Sequence, residues 1–272
     1  MDASFVRICA VPVLPPGVVD SLSEACAPFG AVTALIAADS DLDCTVVELR
    51  LGDADGALRA AGGALKESAG ERLISFEVQG THDPDAASVG ALCESLADAL
   101  DTPVYSARRI GPASTWVEQR PISFGVDGFA IRAASPTAAR PQSRRPGASL
   151  EFGVPSILIK VGLHGVPSSA LRRLCDAIGS PRGGLTHLGA YPSISAATGN
   201  PIIVIECSDS AKSPPARGIE VLDIEAARYG GAVGPAVLLS HIPLDALIAT
   251  LAVRMQLPVQ PAQIIETHVT AS

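Results

Sequence analysis

Aromatic side chains are scarce in this chain of 272 residues, in which Phe, Trp and Tyr together make up 4%. Hydrophobic residues nevertheless account for 47%, and the length allows a buried core of substantial size. Small aliphatic side chains must therefore fill the interior, chiefly those of Ala, Val, Leu and Ile. The chain can form one large domain or two smaller ones.

Basic residues are also outnumbered, since the net charge is -8 and the pI is about 5.1. Nucleic-acid-binding domains are normally basic, so the charge predicts no nucleic-acid partner. No uncharged apolar run reaches the roughly 18 residues of a membrane span, and Met1-Asp-Ala-Ser contains no basic residue of the kind that opens a secretory signal. We therefore expect a cytoplasmic protein with no membrane partner.

Cysteine pairs at metal-binding spacing are absent, because the six cysteines contain no C-x-x-C motif. Their scatter through a chain of this length predicts reduced thiols and neither disulfides nor zinc. Asp39, Asp41 and Asp43 alternate, but the glycine and the bidentate glutamate of a calcium loop are not placed around them. We predict a solvated bend there and no metal site.

Strand and helix patterns alternate through the first third of the chain. One segment, residues 72–78, places Leu73, Ser75 and Glu77 opposite Ile74, Phe76 and Val78, as a half-buried strand does. This order of strands and helices predicts an α+β fold, in which the βαββαβ elements of the first half form a mixed sheet with helices on one face. The last 120 or so residues repeat this order, which predicts two ferredoxin-like α/β sandwich subdomains.

A segment rich in proline and arginine separates the two halves. We predict an N-terminal subdomain over residues 1–132, a linker over residues 133–152 and a C-terminal subdomain over residues 153–272. The alternative for the linker is a mobile lid that offers its arginines to an anionic ligand.

Histidines at predicted strand ends are the first candidates for catalysis. His164 and His241 end core strands, where open α/β layers tend to place their sites, and imidazole is the natural general base near neutral pH. The alternative for each is a bond to a backbone carbonyl. His82 precedes Asp83-Pro84. It either forms an acid/base pair with the aspartate or belongs to a turn that starts the next helix.

Two further groups of side chains are candidates. Cys207 is either a nucleophile or a small buried hydrophobe, and Glu206 beside it is a second candidate base. Lys160 lies inside an apolar strand and must reach water, a carboxylate or a ligand. Arg108 and Arg109 follow the closing strand of the first half and either bind an anionic substrate or are solvated at the sheet edge.

The order of segments along residues 5–267 resembles the formiminotransferases, which move a formimino group from formiminoglutamate to tetrahydrofolate. The resemblance rests on Ile8-Cys-Ala-Val-Pro, Asp43-Cys-Thr-Val-Val, Gly189-Ala-Tyr, Ala227-Arg-Tyr-Gly and the final strand, Ser-His-Ile-Pro turn and helix. It implies the fold described above, a homodimer and group transfer. Asp43, which opens one of these segments, is a further candidate for substrate binding.

The resemblance fails at the catalytic segment. The family has a His-Pro-Arg element before its third strand, whereas Lys66-Glu-Ser-Ala-Gly-Glu-Arg-Leu stands there in this chain. We therefore expect a scaffold repurposed in bacterial biosynthesis, acting on a small polar or carboxylated metabolite by acid/base catalysis from His164 and His241. Cyclisation, hydrolysis and isomerisation remain open as reactions, and no cofactor is predicted.

Two alternatives stay open. The first is an authentic folate-dependent formimino or formyl transferase that uses tetrahydrofolate as cofactor and His82 as base. The second is a non-catalytic protein that binds a ligand or a partner.

Overall fold

The structure, a computed structural model, describes most of the chain. The described residues are 3–50, 54–69, 72–80, 86–102, 104–108, 124–125, 128–129, 147–153, 156–179 and 184–255. We call the part up to residue 153 the N-terminal module and the part from residue 156 the C-terminal module.

The N-terminal module is built on a six-stranded sheet with the strand order β2-β3-β1-β4-β8-β5. Its elements are β1 (Ala3–Val11), α1 (Val18–Cys26), β2 (Val32–Asp39), β3 (Cys44–Arg50), α2 (Ala54–Ala69), β4 (Leu73–Gly80), α3 (Ala86–Leu100), β5 (Val104–Arg108) and β8 (Gly147–Gly153). A short hairpin of β6 (Phe124–Gly125) and β7 (Gly128–Phe129) forms a separate sheet. The pairs from β2 to β4 are antiparallel, and β8 runs parallel to both β4 and β5.

The C-terminal module has a four-stranded antiparallel sheet with the order β10-β11-β9-β12. Its elements are β9 (Ile157–His164), α4 (Leu171–Gly179), β10 (Leu188–Ile194), β11 (Pro201–Cys207), α5 (Pro215–Ala227), β12 (Ala232–Leu238) and α6 (Leu244–Met255). Both modules thus arrange their first four strands in the order second, third, first, fourth. The predicted α+β class and the repeated βαββαβ order are confirmed.

Alternation along the strands separates a helix-facing side from a second side. In β4 the side chains of Ile74, Phe76 and Val78 join a core with the helices of the N-terminal module, whereas Ser75 and Glu77 point the other way. The alternation predicted for this strand is therefore confirmed, but the strand is not half-buried, because Ser75 and Glu77 are only 3% and 6% exposed. In the C-terminal module, a second apolar core between β9–β11 and the helices is built in the same manner.

The sides of the two sheets that carry no helices face each other. A small apolar cluster joins Cys9, Cys44 and Val46 of the N-terminal module to Tyr191 and Val204 of the C-terminal module. The molecule is therefore layered as helices, sheet, sheet and helices. Three of the candidate functional residues, Lys160, Glu206 and His241, have their described contacts between the two sheets.

The predicted linker requires a correction. Residues 147–152 are part of β8, which is hydrogen-bonded between β4 and β5 and buries Ala148 and Leu150 in the first core. Apolar residues at alternate positions, Ala148, Leu150 and Phe152, pair this segment into the sheet although its neighbours are rich in proline and arginine. Residues 133–146 of the predicted linker lie outside the described part of the chain.

In the described part of the chain, no helix combines the length and the apolar character needed to cross a bilayer. None of the six cysteines is in a disulfide.

Candidate functional site between the sheets

A row of charged side chains crosses the centre of the first sheet on the side that faces the second. Arg7 of β1 stands between Glu48 of β3 and Glu77 of β4 in the strand register. Its Nε donates to Glu48 Oε1 at 2.8 Å, and its Nη1 donates to Glu77 Oε2 at 3.1 Å. Burial alone would lower the pKa of Arg7, but the two carboxylates outweigh it and raise that pKa.

The same guanidinium also reaches the C-terminal module. Its Nη2 donates to the backbone carbonyl of Ser156 at 2.5 Å, and its Nη1 donates to Ser156 Oγ at 3.2 Å. Ser156 directly precedes β9. Arg7 therefore joins the centre of one sheet to the start of the central strand of the other.

Glu48 makes a second contact across the modules, to His241. Its Oε2 accepts from the backbone N–H of His241 at 3.1 Å and is also hydrogen-bonded to the Nδ1 of that residue. The Glu48 side chain is 4% exposed and the imidazole is 57% exposed, and the Phe5 ring lies 6.3 Å from it, centroid to centroid. An imidazole that donates Nδ1–H to a carboxylate keeps the lone pair of Nε2 free to accept a proton.

Backbone contacts hold His241 at this position. Leu239 N donates to the carbonyl of Leu158 at 2.8 Å, and Leu158 N donates to Ser240 Oγ at 2.9 Å. The segment after β12 is thereby fixed to the start of β9. His241 is thus placed by the C-terminal module and oriented by a carboxylate of the N-terminal module.

A second group of charges lies around Lys160 of β9. Its Nζ donates to Asp39 Oδ2 at 2.5 Å and to Asp41 Oδ2 at 2.8 Å, and Ser195 Oγ donates to Asp41 Oδ1 at 2.5 Å. Burial acts to lower the pKa of Lys160, but its hydrogen bonds to the two aspartates prevail and raise it. Hydrogen bonds from Lys160 and Ser195 lower the pKa of Asp41. Of the outcomes predicted for Lys160, the structure shows the carboxylate, so its role as a substrate anchor is not supported.

The predicted pair of histidines does not converge. His164 ends β9 and is exposed, with its ring beside Gly234, whereas the segment that leads to His241 bonds to Leu158 at the other end of that strand. Six strand positions separate Leu158 from His164, which is about 20 Å. The prediction that both histidines belong to one catalytic centre is therefore wrong.

Cys207 does not fit the role of nucleophile. Its side chain lies on the helix-facing side of β11 in the second core, and its thiol donates to the carbonyl of Ser213 at 3.2 Å. Burial raises the thiol pKa to about 12. Of the two readings, a small buried hydrophobe is the one the structure supports.

Glu206 points the other way, into the space between the sheets. It is 2% exposed, and its Oε2 accepts from Tyr191 Oη at 3.1 Å. It lies beside the apolar cluster of Cys9, Cys44 and Val204.

The remaining candidates are placed less centrally. Asp43 is exposed at positive φ in the turn between β2 and β3, and its Oδ1 accepts from Val13 N at 3.3 Å. That contact stabilises the turn and assigns Asp43 no place between the sheets. Arg108 ends β5, and its side chain lies outside the described part of the structure, as do His82 and Arg109 entirely.

Arg7 and Glu48 were missed from the sequence. Both are charged residues within apolar strands, Phe5-Val-Arg-Ile-Cys and Thr45-Val-Val-Glu-Leu, which is the signal that identified Lys160. Applying it to every strand would have found them. Within the described residues, no group of three or more His, Cys, Asp or Glu side chains is placed to hold a metal ion.

No protein-family model matches this chain, and no curated protein is similar to it. Among solved structures, an unknown protein from Galdieria sulphuraria has 11% sequence identity and a TM-score of 0.27, over 88% of this chain and 99% of that one. Pitrilysin has 11% identity and a TM-score of 0.22, over 80% of this chain and 33% of its own. Likenesses of this size indicate neither a shared fold nor a shared function.

Proposed function

We propose that this chain is a cytoplasmic enzyme on a formiminotransferase-like scaffold, which acts on a small polar or carboxylated metabolite by general acid/base catalysis. The observation that carries the proposal is the hydrogen bond between Glu48 and Nδ1 of the half-exposed His241. His241 is the base in this proposal. His164 has no part in it, because it lies at the opposite end of β9.

The chemistry follows from the orientation of the ring. Glu48 accepts a hydrogen bond from Nδ1–H, so Nε2 can take a proton from a substrate hydroxyl, amine or water and later return it to a leaving group. The buried carboxylate stabilises the imidazolium that forms in between. A positioned base of this kind contributes about 10²–10⁴-fold to the rate. Group transfer is the reaction class that the resemblance to formiminotransferases favours.

The charge that would hold a carboxylated substrate is not supplied by the buried cations. Arg7 is paired with Glu48 and Glu77, and Lys160 is paired with Asp39 and Asp41. Arg108 and Arg109 stay predictions for this role, as do the tetrahydrofolate-dependent alternative with His82 as base and the homodimer.

The pairing of both buried cations favours a second candidate function, a non-catalytic protein that binds a ligand or a partner. In that case the charges between the sheets serve only to join the two modules. The two candidate functions differ in whether the protein converts a substrate with His241 as base, and the experiment below separates them.

The test is a turnover screen in which the purified protein is incubated with small carboxylated metabolites. Formiminoglutamate with and without tetrahydrofolate is included, and products are followed by NMR. For any substrate that is converted, we expect His241→Asn to lower kcat by about 10²–10⁴-fold. His187→Asn is the matched histidine control, because His187 lies beside β10 in the C-terminal module.

A substrate whose conversion survives His241→Asn but is lost in His164→Asn would overturn the assignment of the base. Conversion of formiminoglutamate only in the presence of tetrahydrofolate, with His241→Asn fully active, would support the orthodox transferase. Ligand binding with no conversion of any compound in the screen would favour the non-catalytic protein.

A further inference from the structure

Arg7 is hydrogen-bonded to Glu48, whose carboxylate orients His241. The two oxygens of Glu48 are divided between the two partners, since Oε1 accepts from Arg7 Nε and Oε2 accepts from His241. A carboxylate held at one oxygen by a rigid donor cannot rotate without breaking that bond. The direction in which Oε2 points therefore depends on Arg7.

The guanidinium itself is fixed from three sides. Glu77 holds Nη1, and the backbone carbonyl of Ser156 holds Nη2, so the plane of the group is set by both modules. Arginine presents its donors in a rigid fork, which lets one side chain satisfy three separate acceptors in one geometry. A lysine ammonium carries the same charge but has no such fork.

We propose that Arg7 is a positioning residue for His241, acting through Glu48, so that it fixes the Nδ1–H tautomer and the ring orientation of the base. The effect of Arg7 on catalysis rests on the function proposed above. Its effect on the orientation of His241 rests only on the contacts of Arg7, Glu48 and His241. Arg7 touches no substrate in this proposal.

Lys160 offers a matched comparison. It too is a buried cation in the first strand of its module, and it too bonds to the other module, in its case to the carboxylates of Asp39 and Asp41. Its partners Asp39 and Asp41 have no described bond to Glu48 or His241. If Arg7 only stabilised the contact between modules, loss of either cation would affect His241 alike.

The test measures the tautomer of His241 from the ¹⁵N shifts of its two ring nitrogens, at a pH where the imidazole is neutral. In the wild type and in Lys160→Met we expect the Nδ1–H form. In Arg7→Lys we expect a shift toward the Nε2–H form that free histidine favours. In a turnover assay, Arg7→Lys should lower kcat measurably, but by less than the loss of about 10²–10⁴-fold expected for His241→Asn.

A second measurement needs no Arg7 variant, and so it stands even if Arg7→Lys does not fold. In the wild type, protonation of His241 should move the ¹⁵N resonance of Arg7 Nε, and the resonance of Lys160 Nζ should stay in place. A His241 tautomer that is the same in Arg7→Lys as in the wild type, or changed equally by Arg7→Lys and Lys160→Met, overturns the positioning role. An Arg7 resonance that does not respond to His241 overturns it as well.

The two proposals fail separately. If His241→Asn keeps full turnover while Arg7→Lys changes the tautomer, the catalytic function is wrong and the positioning stands. If His241→Asn loses turnover while the tautomer in Arg7→Lys is unchanged, the function stands and the positioning is wrong.

Discussion

Lys160 of β9 donates to Asp39 at the end of β2 over 2.5 Å, and this bond joins the two modules. Arg7 of β1 makes the reciprocal connection, since it donates to the carbonyl of Ser156 in front of β9. The first strand of each module thus contributes one buried cation to the other module. These two side chains add charged contacts to the small apolar cluster and to the bond between Glu48 and His241, which also join the sheets.

Removal of the Lys160 charge should destabilise the protein strongly. In Lys160→Met the carboxylates of Asp39 and Asp41 lose their cationic partner, and breaking a buried pair from one side typically costs about 3–5 kcal/mol. Partial exposure of Asp41, whose side chain is 33% exposed, places the expected loss at the lower end of that range. The measurement is the free energy of unfolding from urea denaturation.

The control for this variant is Arg172→Ala. Arg172 is exposed and lies 3.7 Å from Asp176 on the surface of α4, and exposed pairs contribute about 0–1 kcal/mol. Equal losses in the two variants would contradict the role assigned to Lys160.

The contribution of the Lys160 cluster should depend on pH at both extremes. The pKa of Asp41 is lowered in the folded protein, so its stabilisation is present above the ordinary value of 3.8 and is lost as the pH falls through the folded pKa. The pKa of Lys160 is raised, so its stabilisation is present below the ordinary value of 10.5 and is lost as the pH rises through the folded pKa. The free energy of unfolding of the wild type minus that of Lys160→Met should therefore be largest near neutral pH and shrink toward both extremes of pH. A difference that grows with acid would show that the assigned signs are wrong.

Much of the fold could be predicted because its signals are local. The alternation in β4 acts over a few residues, and so does the glycine of the turn between β10 and β11, since Gly199 adopts positive φ there. The strand β8 has alternate apolar residues of its own, but its place in the sheet could not be found in this way. Its pairing between β4 and β5 depends on residues about 70 and 40 positions away, and nothing in its own segment specifies that position.

The candidate site was predicted in part, for a similar reason. A lysine inside an apolar strand predicts that a partner exists, and Lys160 has two. The identity of the partners depends on how two sheets from different halves of the chain meet. The sequence therefore indicated His241 as a candidate, but it could not indicate that Glu48, 193 positions earlier, would orient it.

Cys207 should react slowly with alkylating reagents in the folded protein. Burial raises the pKa of this thiol to about 12, so only a very small fraction is thiolate at neutral pH. Cys44, whose pKa burial likewise raises to about 12, is the matched comparison in the other module. Labelling with iodoacetamide followed by peptide mass spectrometry should give rates for both that rise only when the protein unfolds. Rapid labelling of Cys207 alone in the native protein would restore it as a candidate nucleophile.

Two adjacent glycines in α2 should respond in opposite directions to alanine. A Cβ at Gly63 meets no atom within 4 Å, whereas a Cβ at Gly62 would lie 2.9 Å from Leu96 Cδ1 and 3.0 Å from Ala99 Cβ of α3. Alanine is favoured over glycine inside a helix by about 0.5–1 kcal/mol, so Gly63→Ala should stabilise the protein by that amount. In Gly62→Ala the same gain is opposed by overpacking, which typically costs about 1–3 kcal/mol, because the Ala99 Cβ cannot move away without shifting α3. The two variants share the helix and the chemical change and differ in what the new Cβ meets, so the difference between their free energies of unfolding reports the packing of α2 against α3. If Gly62→Ala were as stable as Gly63→Ala, this result would contradict the close approach of α2 and α3 at Gly62.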